Sequence, residues 1–170
     1  VRCFEDSNIV HVDGSVDPGR DIEVIDIELI LSDLEAVTKK FNATEKQAKS
    51  GDKKAAAVFG VLQKVRIALE AGKPVRALKL DAEEASLVND FHFLTIKPVL
   101  YVANLDEQGI ANPSQNKHFQ AVQKIAASEG SIVVPICGAL ESEIASLSSE
   151  EERAEFLKSI GVEETGLDRL

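Results

Sequence analysis

The sequence predicts an α/β protein that carries a long antiparallel helical hairpin, and three observations predict it. Val99-Leu-Tyr-Val-Ala103 and Ile132-Val-Val-Pro-Ile-Cys137 are short apolar, β-prone runs, the pattern of strands buried on both faces. A helical stretch lies between them, and strand, helix and strand within residues 99–137 make a βαβ crossover with parallel strands. Apolar residues also step by four and three along two longer segments, which is the spacing of helices that pack along a seam.

Taken in order, Val1 to Phe4 and Asn8 to Val12 read as short strand material broken by Glu5-Asp6-Ser7. His11 stands between Val10 and Val12, a setting typical of a half-buried structural histidine. Asp17-Pro18 opens a helix, with Asp as N-cap and Pro at the first helical position, where its missing N–H costs nothing. Ile27, Leu31, Leu34, Thr38 and Phe41 then form the seam, widened by Ile30 and Val37. The helix runs to about Lys49, roughly 45 Å at 1.5 Å per residue. Ser50-Gly51-Asp52 makes the turn, and Val58, Leu62, Val65 and Leu69 carry the seam back on a helix that ends at Gly72, with Pro74 beyond. Charge is polarised along this hairpin. Residues 21–35 hold acids and no Lys or Arg, whereas residues 39–54 hold Lys39, Lys40, Lys46, Lys49, Lys53 and Lys54 against Glu45 and Asp52. The basic end is either a solvated helix tip or a phosphate contact, with Lys46, Lys49, Lys53 and Lys54 as the candidate RNA contact.

Asp81-Ala-Glu-Glu84 is a capping box for a short helix to about Asn89, after which Phe91-His-Phe93 feeds the strand at Val99. A loop containing Gly109 and Pro113 follows Glu107, then a helix from about Ser114 to Ser128 closed by Gly130, then the second strand. Ser149 caps a last helix from about Glu150 to Ile160, ended by Gly161. His92 and His118 have no partner at metal-ligand spacing and read as surface or core residues.

Composition narrows the classes. A chain of 170 residues, 44% hydrophobic, can bury one substantial core. Its 29 acidic against 19 basic residues give a net charge of −10, which argues against a surface built throughout to coat nucleic acid or anionic membrane. No apolar run reaches the roughly 18 residues of a membrane span and no signal peptide is evident, so the expectation is a cytoplasmic protein. Cys3 and Cys137 stand in separate apolar runs without a C-x-x-C pairing and read as buried free thiols. The chain begins Val-Arg-Cys-Phe and contains no Met, which makes it look like a piece of something longer.

The chemistry sits where the strands end. Asn104-Leu105-Asp106-Glu107 leaves the first strand and Cys137-Gly138-Ala139 leaves the second on the same sheet edge, the edge at which open α/β sheets bind ligands. P-loop GTPases read guanine with N-K-x-D, whose carboxylate accepts from the base N1 and N2 hydrogens. Here Lys is replaced by Leu105 and Asp by Glu107. A carboxylate held in the GTPase position would meet the bare N1 lone pair of adenine and repel it, while Asn104 can pair with N6 and N7 as amides do.

These residues, with Arg-Cys-Phe-Glu followed by His11, the Asp17-Pro-Gly-Arg-Asp-Ile-Glu-Val-Ile-Asp run, Lys97-Pro98 and the Glu-Gly-Ser-Ile-Val-Val-Pro-Ile-Cys run, resemble the YchF type of Obg-like ATPases over essentially the whole chain. The resemblance implies the C-terminal part of a P-loop NTPase (Ras-like) parallel-sheet domain, residues 1–16 and 97–170, with an antiparallel α-helical coiled-coil hairpin inserted at residues 17–96. It implies ATP binding in preference to GTP, hydrolysis with magnesium and potassium as the ions concerned, and the ribosome as partner, with neither membrane nor DNA. Residue by residue it implies base contacts at Asn104, Leu105, Glu107, Gly138 and Ala139, and a catalytic role for His11, where related GTPases use a glutamine to position the attacking water. No G-x-x-x-x-G-K-[ST] loop or threonine switch is in the sequence, so the phosphate and magnesium machinery is expected upstream and this chain alone is expected to be inactive. Two alternatives stay open: a translation GTPase with relaxed base specificity, and a helical-hairpin module that binds RNA or protein without nucleotide turnover.

Overall fold

The computed structural model describes residues 1–10, 14–162, 164–166 and 168. His11 lies outside the described residues. The chain divides within its first helix into two compact units, residues 1–22 with 99–170 and residues 23–98.

The second unit is helical. Helix α1, Pro18–Lys49, starts where Asp17 Oδ1 accepts the Arg20 N–H at 3.1 Å. Helix α2, Lys53–Glu70, starts where Asp52 accepts the Lys54 and Ala55 N–H groups at 2.9 and 3.1 Å. Gly51 between them has φ 94°, a left-handed conformation that glycine takes without a Cβ penalty. Helix α3, Ala82–Val88, opens on the Asp81/Glu84 capping box. Short 3₁₀ turns at Val75–Ala77, Asn89–Phe91 and Leu94–Ile96 complete the connection.

The buried face of α1 is rotated from the expected seam. Ile30 and Val37 are buried against Val61, Leu62, Val65, Leu69, Val75, Val88 and Phe93, with Leu34 and Phe41 packed beside them. Ile27 and Leu31, expected in the seam, are 49% and 58% exposed. The cause is that the connecting turns cover α1 as well as α2 does, and one buried polar group decides which face they meet. Asp33 is 2% exposed and Thr95 0%. Asp33 Oδ1 accepts the Leu94 N–H at 2.7 Å, and Oδ2 accepts both the Thr95 N–H at 2.7 Å and its hydroxyl at 2.6 Å. Thr95 Oγ1 in turn accepts the Val75 N–H at 3.0 Å. A buried carboxylate is tolerated because N–H and O–H donors replace the water it lost.

The first unit is α/β. Strands β1, Leu100–Asn104, and β2, Ile132–Ile136, pair in parallel with Leu100 opposite Ile132 and Asn104 opposite Ile136. On the other edge of β1, Arg2 forms a parallel bridge to Asn104, with Cys3 N–H donating to Asn104 O at 2.7 Å and Asn104 N–H to Val1 O at 2.8 Å. The expected strand at 8–12 is not seen in its described part, where residues 7–8 form a turn and Val10 is 91% exposed. Helix α4, Glu107–Ala111, follows β1 directly. Helix α5, Lys117–Glu129, makes the crossover and starts at Asn116, later than expected, because Pro113–Gln115 forms a separate turn. Helix α6, Gly138–Ser146, follows β2 where only a turn was expected, and α7, Glu150–Ser159, begins on the Ser149/Glu152 capping box. The core joins Cys3, Ile22, Tyr101, Ala103, Leu105, Phe119, Val122 and Ala126. Cys3 and Cys137 are both buried free thiols, and burial pushes the Cys3 thiol up to about 11.

Replacing Asp33 with Ala should leave the Leu94 and Thr95 amides without their acceptor. Their hydrogen-exchange rates should rise about a hundredfold, two steps of 1.4 kcal/mol. Unchanged protection at those amides would show that packing alone holds the connector.

Candidate functional site

The carboxyl ends of β1 and β2 open onto a cavity of about 530 Å³ lined by Phe4, Glu5, Asp6, Ile9, Asn104, Leu105, Asp106, Glu107, Gln108, Cys137, Gly138 and Ala139. The five residues expected to read a base, Asn104, Leu105, Glu107, Gly138 and Ala139, all line it. The parallel register brings them together, since Asn104 ends β1 opposite Ile136, two residues before Gly138.

Asn104 ties the two strand ends together. Its Oδ1 accepts the Gly138 N–H at 2.9 Å, so one acceptor position of the amide is occupied and its Nδ2 donors are the groups with hydrogen-bonding capacity to offer. A Cβ added at Gly138 would lie 3.4 Å from that Oδ1, at the near limit of ordinary contact. Asp106 is committed elsewhere. It caps α4 by accepting the Gly109 N–H at 2.7 Å, and a Cβ on Gly109 would come within 2.7 Å of the same oxygen. Glu107, the first residue of α4, is exposed at the cavity. Leu105 differs from what the sequence suggested: it is 1% exposed and its side chain belongs to the apolar core, so it backs the cavity instead of standing free within it.

Sequence reasoning missed the wall formed by Phe4, Glu5, Asp6 and Ile9, which lies in no helix or strand. The Phe in the Arg-Cys-Phe-Glu run was its only signal. This wall is anchored through Asn116, whose Nδ2 donates to Cys3 O at 3.0 Å while its Oδ1 caps α5. His118 lies 3.2 Å from Glu5 Oε1, so it has a partner that its sequence position did not reveal. Glu5, Asp6, Asp106 and Glu107 make the lining acidic, and among the described residues no Lys or Arg lines this cavity. Such a site can accept hydrogen bonds from a neutral, amino-bearing heterocycle but offers a phosphate group no cation. Among the described residues no group of three or more His, Cys, Asp or Glu is placed to hold a metal ion.

Lys46, Lys49, Lys53 and Lys54 flank the turn between α1 and α2, and all four are exposed. Lys49 pairs with Glu45 at 2.8 Å. Among the described residues, Lys46, Lys53 and Lys54 have no acidic partner. Nearer the middle of α1, Lys39 pairs with Glu35 at 2.6 Å and Lys40 lies 5.2 Å from the centre of the Phe91 ring.

The chain is 48% identical over 170 residues to the ribosome-binding ATPase YchF of Escherichia coli O157:H7, a match covering 100% of this chain and 46% of that protein. It is 45% identical, with the same coverage, to the ribosome-binding ATPase YchF of Bacillus subtilis strain 168. Among solved structures, that of the Schizosaccharomyces pombe YchF GTPase superposes with a TM-score of 0.82 at 29% identity, covering 99% of this chain and 46% of that one. The chain thus spans about half the length of the curated relatives it matches. No family model matches.

Proposed function

We propose, on the premise that the chain matches the YchF type of ribosome-binding ATPase along its whole length, that it is the base-reading portion of a ribosome-associated P-loop NTPase that hydrolyses ATP to ADP and phosphate. In this reading residues 1–16 and 97–170 belong to the Ras-like nucleotide domain, residues 17–96 are a helical coiled-coil hairpin inserted into it, and the protein works in the cytoplasm. The observation that carries the reading is the convergence of Asn104, Glu107, Gly138 and Ala139 on one cavity at the carboxyl ends of two parallel strands, where doubly wound folds hold nucleotides.

The roles follow from hydrogen-bonding capacity. With its oxygen engaged by Gly138, Asn104 donates from Nδ2 to a ring acceptor such as adenine N7. Glu107 accepts from the exocyclic N6 amino group, which adenine has and guanine lacks. Leu105 backs the site from the core, and the Gly138–Ala139 backbone closes its second side. The acidic lining suits the base end of the nucleotide, and the triphosphate is held by the remainder of the protein. Magnesium and potassium, implied by the resemblance, are assigned with the triphosphate to the remainder of the protein. His11 is assigned, by resemblance alone, to positioning the attacking water. A second reading, a GTPase with relaxed base specificity, is favoured by the name of the solved fission-yeast relative.

The experiment that separates the two is Glu107→Asp in the full-length parent, since Leu105→Lys would bury a charge in the core. Shortening the carboxylate by one methylene should move the ATP-to-GTP affinity ratio toward GTP by about tenfold, one step of 1.4 kcal/mol. A ratio that stays put would remove Glu107 from base reading. His11→Ala should lower kcat with ATP affinity unchanged, the pattern of a missing transition-state interaction; parallel loss of affinity and rate would mark a structural histidine. Replacing Lys46, Lys49, Lys53 and Lys54 with Gln should flatten the log-log salt dependence of ribosome association by roughly 0.7–0.9 for each phosphate those lysines neutralise. If the slope holds, the basic turn is only a solvated helix end.

A further inference from the structure

The base cavity has one wall that no regular element supports. Phe4, Glu5, Asp6 and Ile9 line it, yet among the described residues the segment's own backbone is held by just two short-range bonds, Ile9 N–H to Asp6 O at 3.2 Å and Asn8 N–H to Asp6 Oδ1 at 2.8 Å. Asn116 holds Cys3 O at its start, and His118 and Lys117 stand 3.2 and 3.9 Å from Glu5 Oε1, but three of its carbonyls are gathered by one side chain. Arg2 Nε donates to Phe4 O at 3.0 Å, Nη1 to Ile9 O at 3.0 Å and Nη2 to Asp6 O at 3.3 Å. Its guanidinium carbon also lies 4.8 Å from the centre of the Phe4 ring. The backbone of Arg2 is itself fixed, because it forms the parallel bridge to Asn104.

We infer that Arg2 is a positioning residue for nucleotide binding: it sets the Phe4–Ile9 wall of the base cavity in register with Asn104. The guanidinium is suited to this because its donors leave in fixed directions from one plane, so the carbonyls of Phe4, Asp6 and Ile9 are held at set separations. Lysine has its donors on a single atom and cannot reach carbonyls that diverge. The inference rests on the base-reading assignment of the cavity. It goes beyond that assignment by giving a residue whose own side chain is not among the cavity lining a share in nucleotide affinity.

The test is steady-state kinetics of the full-length parent carrying Arg2→Gln or Arg2→Lys, with Asn104→Ala as the control for the site itself. Both Arg2 variants should raise KM for ATP about tenfold, one step of 1.4 kcal/mol, with kcat within about twofold and the melting temperature of the nucleotide-free protein unchanged. Lys should recover no more than a small part of the loss, since it keeps the charge but not the fork. A lowered melting temperature with an unaltered KM would show Arg2 to be structural only and overturn the proposal. If Asn104→Ala raises KM while neither Arg2 variant does, the Arg2 inference alone fails. If Asn104→Ala leaves KM unchanged, the base-site reading fails with it. Should Arg2→Gln not fold, the Lys variant, which keeps charge and aliphatic stem, decides between these outcomes.

Discussion

One side-chain amide holds the candidate site together. Parallel strands end on a common edge, but their main-chain pairing stops at Asn104 and Ile136, with a last rung from Leu105 N–H to Ile136 O at 2.8 Å. Beyond that rung the chain leaves into α4 on one side and α6 on the other, and nothing in a βαβ unit requires the two exits to stay close. The bond from Gly138 N–H to Asn104 Oδ1 at 2.9 Å supplies that requirement. It also fixes the orientation of the Asn104 amide, which lines the cavity.

The parts of the fold that were legible are those whose cause is local. Asp17-Pro18, Asp81 with Glu84 and Ser149 each cap the helix expected of them, because a cap is a contact between residues two or three apart. The two strands and their parallel pairing followed from apolar runs separated by a crossover helix. The face of α1 was not legible. Ile27, Ile30, Leu31, Leu34 and Val37 are apolar all around one side, and the face chosen was set by Asp33 meeting the backbone donors of Leu94 and Thr95, far along the chain. An acid within an apolar stripe carries no mark in sequence that its partners are main-chain amides. Helices α4 and α6 were missed for the opposite reason. They are short, start on residues that also suit turns, and are held by tertiary packing more than by periodicity.

For the site, residue type and strand position were enough to bring Asn104, Glu107, Gly138 and Ala139 to one edge. They were not enough to separate Leu105, which faces the core, from its neighbours, because alternation is lost once the chain leaves the strand. The wall from Phe4 to Ile9 was barely legible. It has neither helical nor strand periodicity, and its conformation is written in the three carbonyls that one arginine collects.

The acidic lining has a consequence for the way a ligand arrives. Four carboxylate side chains, Glu5, Asp6, Asp106 and Glu107, line a cavity that no Lys or Arg lines among the described residues, and although Lys117 and His118 stand 3.9 and 3.2 Å from Glu5, the lining itself carries net negative charge. In the base-reading proposal, a nucleotide approaching with its phosphates leading meets like charge, while one approaching with its uncharged base leading does not. In that proposal the cavity acts as a polarity filter on encounter. It favours a single end-on orientation before any hydrogen bond to Asn104 or Glu107 has formed, and it does so more strongly in dilute salt, where the field reaches further from the surface.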